Sequence, residues 1–545
     1  MVCLGTVSAA AADWPRMLPP TPRPARDLVV VDWDPDSPAD RPMDLAVRSL
    51  QGLVNRERPR IWVGTEEDRP GRAGWWLARF QEMDLVDRDL RVISGEEFLR
   101  EFSHFARGAV VPPDNLANDG HHVAVMKAAV DGLIVASPAL ARSLGLRVVE
   151  DYRGRFRSHA ESYRYALDHF LRPGRLNPDA LVCERDDLRV ATATVDYVVQ
   201  HKLFQFAIHA DAPDEIAVMR EVLTFLPDCI PILGTAGGGK GYLREGPIVS
   251  LISGYAKFYL GSAGAANLSV HAGFAPPTPE QMRQPLGPAP ELDPTKIYLC
   301  VHSSDGDNTN VARAHILRKD RWARRGRIPI GWTVPAGGLD LIPGIIRYYY
   351  SQAPCTPNDE FIMGLSGAGY MFPGQFGQAP GFSRERRERA WSKFLELSEA
   401  YRRRMDLRVV TIHHFRERGS QLIGRTFFRR YARAMPDLLG LLNGYGYFDI
   451  AAAYGETGTS VDGMPIAHAA YNRMKPNGDV AAELRQAAGD QRPAFLHVFW
   501  IPMILDDEAM IAQLKALPEE FEIVLPSDFF RLYRQAIADG CLQSG

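Results

Sequence analysis

Two aspartates and an asparagine in the stretch SSDGDN carry the most chemistry in this chain. Asp305, Asp307 and Asn308 follow an apolar run at 297–301 that reads as a buried strand, and helix-like sequence comes straight after them. In extended chain Asp305 and Asp307 point to the same side, two positions apart. Such a pair can act as acid and electrostatic partner, or supply oxygen ligands to a divalent cation. It can equally be an Asx-rich turn in which both carboxylates cap backbone amides. Glu456, in AAYGETG, is a second carboxyl just after a strand-like segment. His413 and His414, in IHHF, end another; each reads as a ligand, an acid/base group or a helix-capping residue. In GLSGAGYMFP (364–373), Gly367 and Gly369 allow backbone to approach a ligand closely, and Tyr370 and Phe372 could wall a sugar ring. An ordinary glycine turn with two core aromatics is the competing reading. Trp332 and Trp500, near strand ends, are further stacking candidates.

GTAGGGKGY (234–242) has the glycine and lysine spacing of a phosphate loop, with Gly234, Gly239 and Lys240 in place. The hydroxyl residue that would hold Mg²⁺ is replaced by Gly241, and Arg244 and Pro247 interrupt the helix that should follow. The expectation is a surface loop without nucleotide.

The elements that must position these residues come in two blocks. LVVVDWD, an amphipathic stretch through Met43, Val47, Leu50 and Val54, and IWV form a β–α–β unit near the start. A lead-in at 1–26 precedes α/β subdomains at 27–105, 116–190 and 191–274. Seven prolines then mark a linker at 275–295. Beyond it, 296–545 alternates strand-like and helix-like segments, with strands expected at 297–302, 328–334, 361–365, 407–413, 447–452, 464–468, 494–500 and 521–525. The fold class is α/β: N-terminal α/β subdomains followed by a C-terminal TIM-like (β/α) barrel of seven or eight strands, an open doubly wound sheet being the rival. Acidic residues at the carboxyl end of its first strand are where such a barrel keeps its chemistry.

The 545 residues exceed one ordinary core, and 46% hydrophobic with 24% charged residues is usual for a globular protein. A net charge of −3 gives no reason to expect nucleic acid as a partner. No apolar run reaches the ~18 residues of a membrane span. The six cysteines are scattered without a C-x-x-C pair, against a zinc ribbon or a disulfide scaffold. MVCLGTVSAAAA ends in small residues, as an export-signal cleavage region does, but the first arginine is Arg16; secreted or periplasmic and cytoplasmic locations both stay open.

GAGYMFP resembles the signature of the GxGYxYP family of putative glycoside hydrolases. SLQGLVNRERPRIWV, VVEDYRGRF, NLSVHAGF, SDGDN, RGRIPIGWTVP and NDEFIMGLSGAGYMFP fit the same family in order along nearly the whole chain. Phe372 departs from it, standing where the motif has its second tyrosine. The resemblance implies a barrel domain related to glycoside hydrolases and deacetylases, behind N-terminal α/β subdomains. The function expected is hydrolysis of a poly- or oligosaccharide by paired carboxylates, Asp305 or Asp307 being one and Glu456 the other, with no metal and no cofactor. Asn308, Trp332, Gly367, Gly369, Tyr370, Phe372, His413, His414 and Trp500 would then bind substrate. One alternative is a metal-dependent carbohydrate deacetylase using Asp305 or Asp307 with His413 or His414, although His315 stands alone after the acidic loop where an H-x-x-x-H pair would be needed. The other is a glycan-binding protein without catalysis.

Overall fold

The computed structural model describes residues 14–542 except 35–40, 65–71, 117–118, 186–191, 236, 238, 263, 307, 353–355, 413–423, 445–450, 452–453, 472–477 and 503. Three small parallel sheets come first. β1 (Val29–Asp32), β2 (Ile61–Val63) and β3 (Arg91–Ser94) pair in the order β2-β1-β3. β4 (Ala109–Val111), β5 (Ile134–Val135) and β6 (Val148–Asp151) pair as β5-β4-β6. β7 (Leu181–Cys183), β8 (Phe204–Phe206), β9 (Pro231–Gly234) and β10 (Phe258–Gly261) form the third sheet, β10-β9-β7-β8, with β10 at its edge. Strands of three or four residues buried along their whole length suit sheets covered on both faces.

A parallel barrel follows. Its wall is β11 (Ile297–Ser303), β12 (Ile330–Val334), β13 (Asp359–Met363), β14 (Val409–Ile412), β15 (Gly440–Asn443), β17 (Met464–Tyr471) and β18 (Ala494–Trp500), closed by pairing of β11 with both β12 and β18. Two extra strands fill seams. β19 (Phe521–Val524) runs along the first half of β11, and β16 (Gly458–Val461) lies antiparallel on the first half of β17. β15 is a strand not expected from the sequence, lying before the strand expected at 447–452. Of that interval, only residue 451 lies within the described residues. β15 begins with a glycine because a Cβ at Gly440 would sit 2.2 Å from the Phe530 ring.

The helix Pro526–Ala538 closes the floor. Its Phe529, Phe530 and Tyr533 form one apolar cluster with Tyr298, Cys300, Ile362, Val409, Leu442, Ala467, Phe495 and Val524. Those residues come from seven different strands, which one helix can meet together only at the barrel axis. Even-numbered residues of β11 therefore face the lumen, and its odd-numbered ones face the surrounding helices. Glu360, near the start of β13, accepts from the Ser527 backbone amide at 2.8 Å and from the Ser527 hydroxyl, capping the first turn of this helix. Among the described residues no helix is long and apolar enough to cross a membrane.

Candidate functional site

The acidic loop leaves the carboxyl end of β11 and is latched to the neighbouring strand. The Thr333 hydroxyl donates to the Ser303 carbonyl at 2.9 Å and receives the Gly306 amide at 3.0 Å. Gly306 is pressed so closely that a Cβ there would lie 1.8 Å from the Thr333 carbonyl oxygen. Asp305 takes the left-handed conformation, φ 61°, which aspartate tolerates better than most residues. Asn308 caps the turn that follows, its side-chain oxygen accepting from the Asn310 amide at 2.9 Å.

This loop meets the third sheet at its carboxyl edge. The Thr309 hydroxyl donates to the Gly261 carbonyl at 2.8 Å, and Asn308 packs so tightly under Gly261 that a Cβ there would come within 2.7 Å of it. The glycine-rich segment fastens the same junction. Tyr370 and Tyr259 exchange two backbone hydrogen bonds of 2.8 Å, covering the exposed edge of β10. A Cβ at Gly369 would be 2.5 Å from the Phe258 ring, so only glycine permits this approach. The Phe372 amide donates to the Ser253 hydroxyl at 2.9 Å, and the Ala379 amide to the Gly254 carbonyl at 2.8 Å. On the barrel side, Gly367 has φ 114° and lies against Ser398, whose hydroxyl accepts from the Ala368 amide at 2.9 Å. The mouth of the barrel thus faces the carboxyl edge of a parallel sheet, and both are ends where α/β folds bind ligands.

Two carboxyl groups meet across this junction. Burial first, and then the charge of Glu245, push the Asp305 carboxyl up to about 6, against a hydrogen bond with Ser304 that pulls it down. Glu245 opens the helix Glu245–Gly254, just past the GTAGGGKGY loop. Burial raises its pKa too, and a hydrogen bond with the Tyr370 side chain opposes that rise. Glu245 is nevertheless exposed to solvent, and Asp305 is part-exposed. Solvent therefore reaches both carboxyls at this junction. Sequence reasoning missed Glu245. The available signal was an acid at a helix start, after an apolar strand and a glycine-rich loop.

Several expected site residues lie elsewhere. Glu456 ion-pairs with Arg425 at 2.7 Å, and the carboxylate that acts on Asp305 is Glu245. The four rings expected to stack on sugar are enclosed: Trp332 and Tyr370 are 4% exposed, Phe372 5% and Trp500 0%. Trp332 and Trp500 meet edge to face at 6.0 Å, and their indole nitrogens donate to Asp359 and to the Leu505 carbonyl, each at 2.8 Å. These are packing positions behind the barrel wall. Asp307, His413 and His414 lie outside the described residues.

Beneath the mouth, His302 and His497 stack in the lumen with their Nε2 atoms 2.6 Å apart. The His302 Nδ1 lies 3.0 Å from the Ser303 carbonyl, so it carries the proton, and the His302 Nε2 accepts from the His497 Nε2. Burial holds His302 down at about 4 and His497 well below its usual value, so the pair is neutral. Among the described residues no group of three or more His, Cys, Asp or Glu stands in metal-holding geometry.

The comparisons with known proteins agree with this architecture. Three family models match in chain order: the GxGYxYP_N second domain over residues 106–174, the GxGYxYP third domain over 178–273, and the "GxGYxYP putative glycoside hydrolase C-terminal domain" over 295–534. The chain belongs to the GxGYxYP family. The junction beside Asp305 therefore lies between the family's third and C-terminal domains, and the family's signature segment is the clamp that joins them. A crystal structure of "a putative hydrolase from Bacteroides thetaiotaomicron" superposes with a TM-score of 0.73 at 16% identity, covering 94% of this chain and 96% of that one. No curated protein matches the chain.

Proposed function

We propose that the protein is a glycoside hydrolase acting on a poly- or oligosaccharide, with Asp305 as its proton donor. Asp305 carries this reading. It sits at the carboxyl end of the first barrel strand, part-exposed to solvent, with its carboxyl pushed up to about 6. A glycosidic oxygen is a poor leaving group until it is protonated, and an acid titrating near neutrality can hold a proton and still give it up. Membership of a family whose C-terminal domain is described as a putative glycoside hydrolase supports the reaction type. The glycan enters between the barrel mouth and the third domain, where Asp305 is part-exposed.

The test is release of reducing ends from a mixed panel of polysaccharides and oligosaccharides by the full chain and by Asp305→Asn. The wild type should cleave at least one member, and the variant should be slower by about a thousandfold. Cleavage at wild-type rate by Asp305→Asn removes the assignment. A wild type inert on the whole panel removes the reaction.

A further inference from the structure

We propose that a cavity on the seam between the third domain and the C-terminal domain binds a hexuronate, a sugar ring carrying one carboxylate, and that Arg220 takes the carboxylate. The proposal concerns binding alone and uses none of the residues at the barrel mouth, so it stands or falls apart from the hydrolase reading.

The cavity has a volume of about 550 Å³, inside the range of roughly 300–1,000 Å³ usual for small-molecule sites. Both domains wall it. The third domain supplies Arg220, from the helix Pro213–Phe225, together with Ser250, Leu251 and Tyr255 at the end of the helix Glu245–Gly254. The C-terminal domain supplies Gln375, Gln378, Ala379 and Pro380, in the stretch that continues the signature segment. Hydrogen bonds between the two walls hold the shape. The Gly377 amide donates to the Ser253 carbonyl at 2.9 Å, and the Ala379 amide to the Gly254 carbonyl at 2.8 Å.

Charge selects an anion. Arg220 is exposed, and among the described residues it has no ion-pair partner. Behind Tyr255 the balance is also positive. Arg386 donates to both carboxylate oxygens of Asp228, at 2.8 and 2.9 Å, and the buried Lys257 stands 3.7 Å from the same group. Lys393 donates to the Asp228 backbone carbonyl at 3.1 Å, so three cations gather on one carboxylate. Lys257 also donates to the Tyr255 carbonyl at 2.7 Å, which sets this excess of positive charge directly behind the cavity wall. A carboxylate is the group a guanidinium binds in a planar, two-pronged fit.

The rest of the lining selects a sugar ring. Ser250, Gln375 and Gln378 offer uncharged groups that both donate and accept, as ring hydroxyls require. Leu251, Ala379 and Pro380 give carbon surface for the C–H face of the ring. A phosphate ester is served less well. The amides of Gly377 and Ala379 are already bonded, so they build no anion cradle, and Arg220 is the one cation among the described lining residues. A hexuronate seated here touches both walls and ties the third domain to the signature segment.

The experiment is calorimetric titration of the full-length protein with sodium D-galacturonate and sodium D-glucuronate. D-galactose, D-glucose, sodium acetate and inorganic phosphate are the comparators, and Arg220→Gln, Gln378→Ala and Asp305→Asn are the variants. Arg220 and Gln378 are exposed, so neither substitution disturbs the core. At least one uronate should bind the wild type saturably at one site, with every comparator weaker by about tenfold or more. Arg220→Gln should lose about tenfold in that affinity and Gln378→Ala about threefold, while Asp305→Asn keeps it. Saturating uronate should raise the Tm of the wild type and leave that of Arg220→Gln unmoved. No saturable binding of either uronate to the wild type overturns the site, as does unchanged affinity in Arg220→Gln. Loss of affinity in Asp305→Asn moves the uronate to the barrel mouth and also overturns it. Acetate or phosphate binding as tightly as the uronates overturns the sugar ring, and galactose or glucose binding as tightly overturns the carboxylate. The hydrolase reading is decided separately, by cleavage.

Discussion

The two ends of the barrel each hold a carboxyl whose pKa is raised, and they use it differently. At the mouth Asp305 is pushed up to about 6. At the floor Glu360, 4% exposed, is pushed up to about 7, chiefly by burial. Judged by the shift alone, Glu360 would be the stronger candidate for catalysis. Its surroundings say otherwise. Both of its oxygens are taken by Ser527, and the helix that this caps seals the lumen. Asp305 instead is part-exposed and feels the charge of Glu245. A displaced pKa marks a site only where the group can also be reached.

The largest effect separating the two ends is on turnover. Asp305→Asn should lower turnover of glycosides with poor leaving groups by about a thousandfold, while Glu360→Gln stays within about threefold of wild type. Stability should respond the other way round. Asp305→Asn removes a charge facing Glu245 and is expected to hold or raise Tm at neutral pH, the usual trade of stability against function. Glu360→Ala strips two hydrogen bonds from the start of the floor helix and should cost about 2 kcal/mol in chemical denaturation. Equal losses of activity in both variants would erase the distinction between mouth and floor.

The pH dependence of stability sharpens the comparison. Both carboxyls are raised in the folded state, so the native protein holds protons that the unfolded chain has released. Stability from this source is fully present below the unfolded values and is lost as pH rises through the folded ones. For Asp305 the loss runs from its ordinary value of 3.8 to about 6, and for Glu360 from its ordinary 4.5 to about 7. Each is worth on the order of a few kcal/mol. Denaturation curves from pH 4 to 8 should flatten over the lower window in Asp305→Asn and over the upper one in Glu360→Gln. A slope unchanged in either variant would show that its carboxyl does not titrate as described.

The sequence made the barrel legible because parallel strands that are buried on both faces read as apolar runs, and β11 and β18 are such runs. The same property hid which face of each strand looks inward. Trp332 is flanked by Gly331, where an added Cβ would point at Pro526 and His302, so the tryptophan faces away from the lumen. Alternation cannot reveal that where no face is polar. Asp305 was legible because its loop is local, a strand end followed by acids. Glu245 was not. Its link to Asp305 runs through Tyr370 and Tyr259, which lie far apart in the chain and meet only as two domains close. The GTAGGGKGY loop pointed to phosphate chemistry by its spacing, and its structural consequence is the delivery of the acid three residues beyond its end.

The smallest expected effect concerns the motif itself. Phe372 occupies the position of the family's second tyrosine, and restoring it as Phe372→Tyr tests whether that hydroxyl serves the cleft or the clamp. The ring is 5% exposed, meets Tyr370 edge to face at 5.7 Å, and hangs from a backbone amide bonded to Ser253. A hydroxyl added in such packing must find a partner or lose its hydration, at a cost of about 1 kcal/mol. Because the ring belongs to the clamp, the change should appear in Tm and leave kcat/KM within about threefold of wild type. A gain in kcat/KM of tenfold or more would place position 372 beside the substrate and move the family's second tyrosine from the clamp into the cleft.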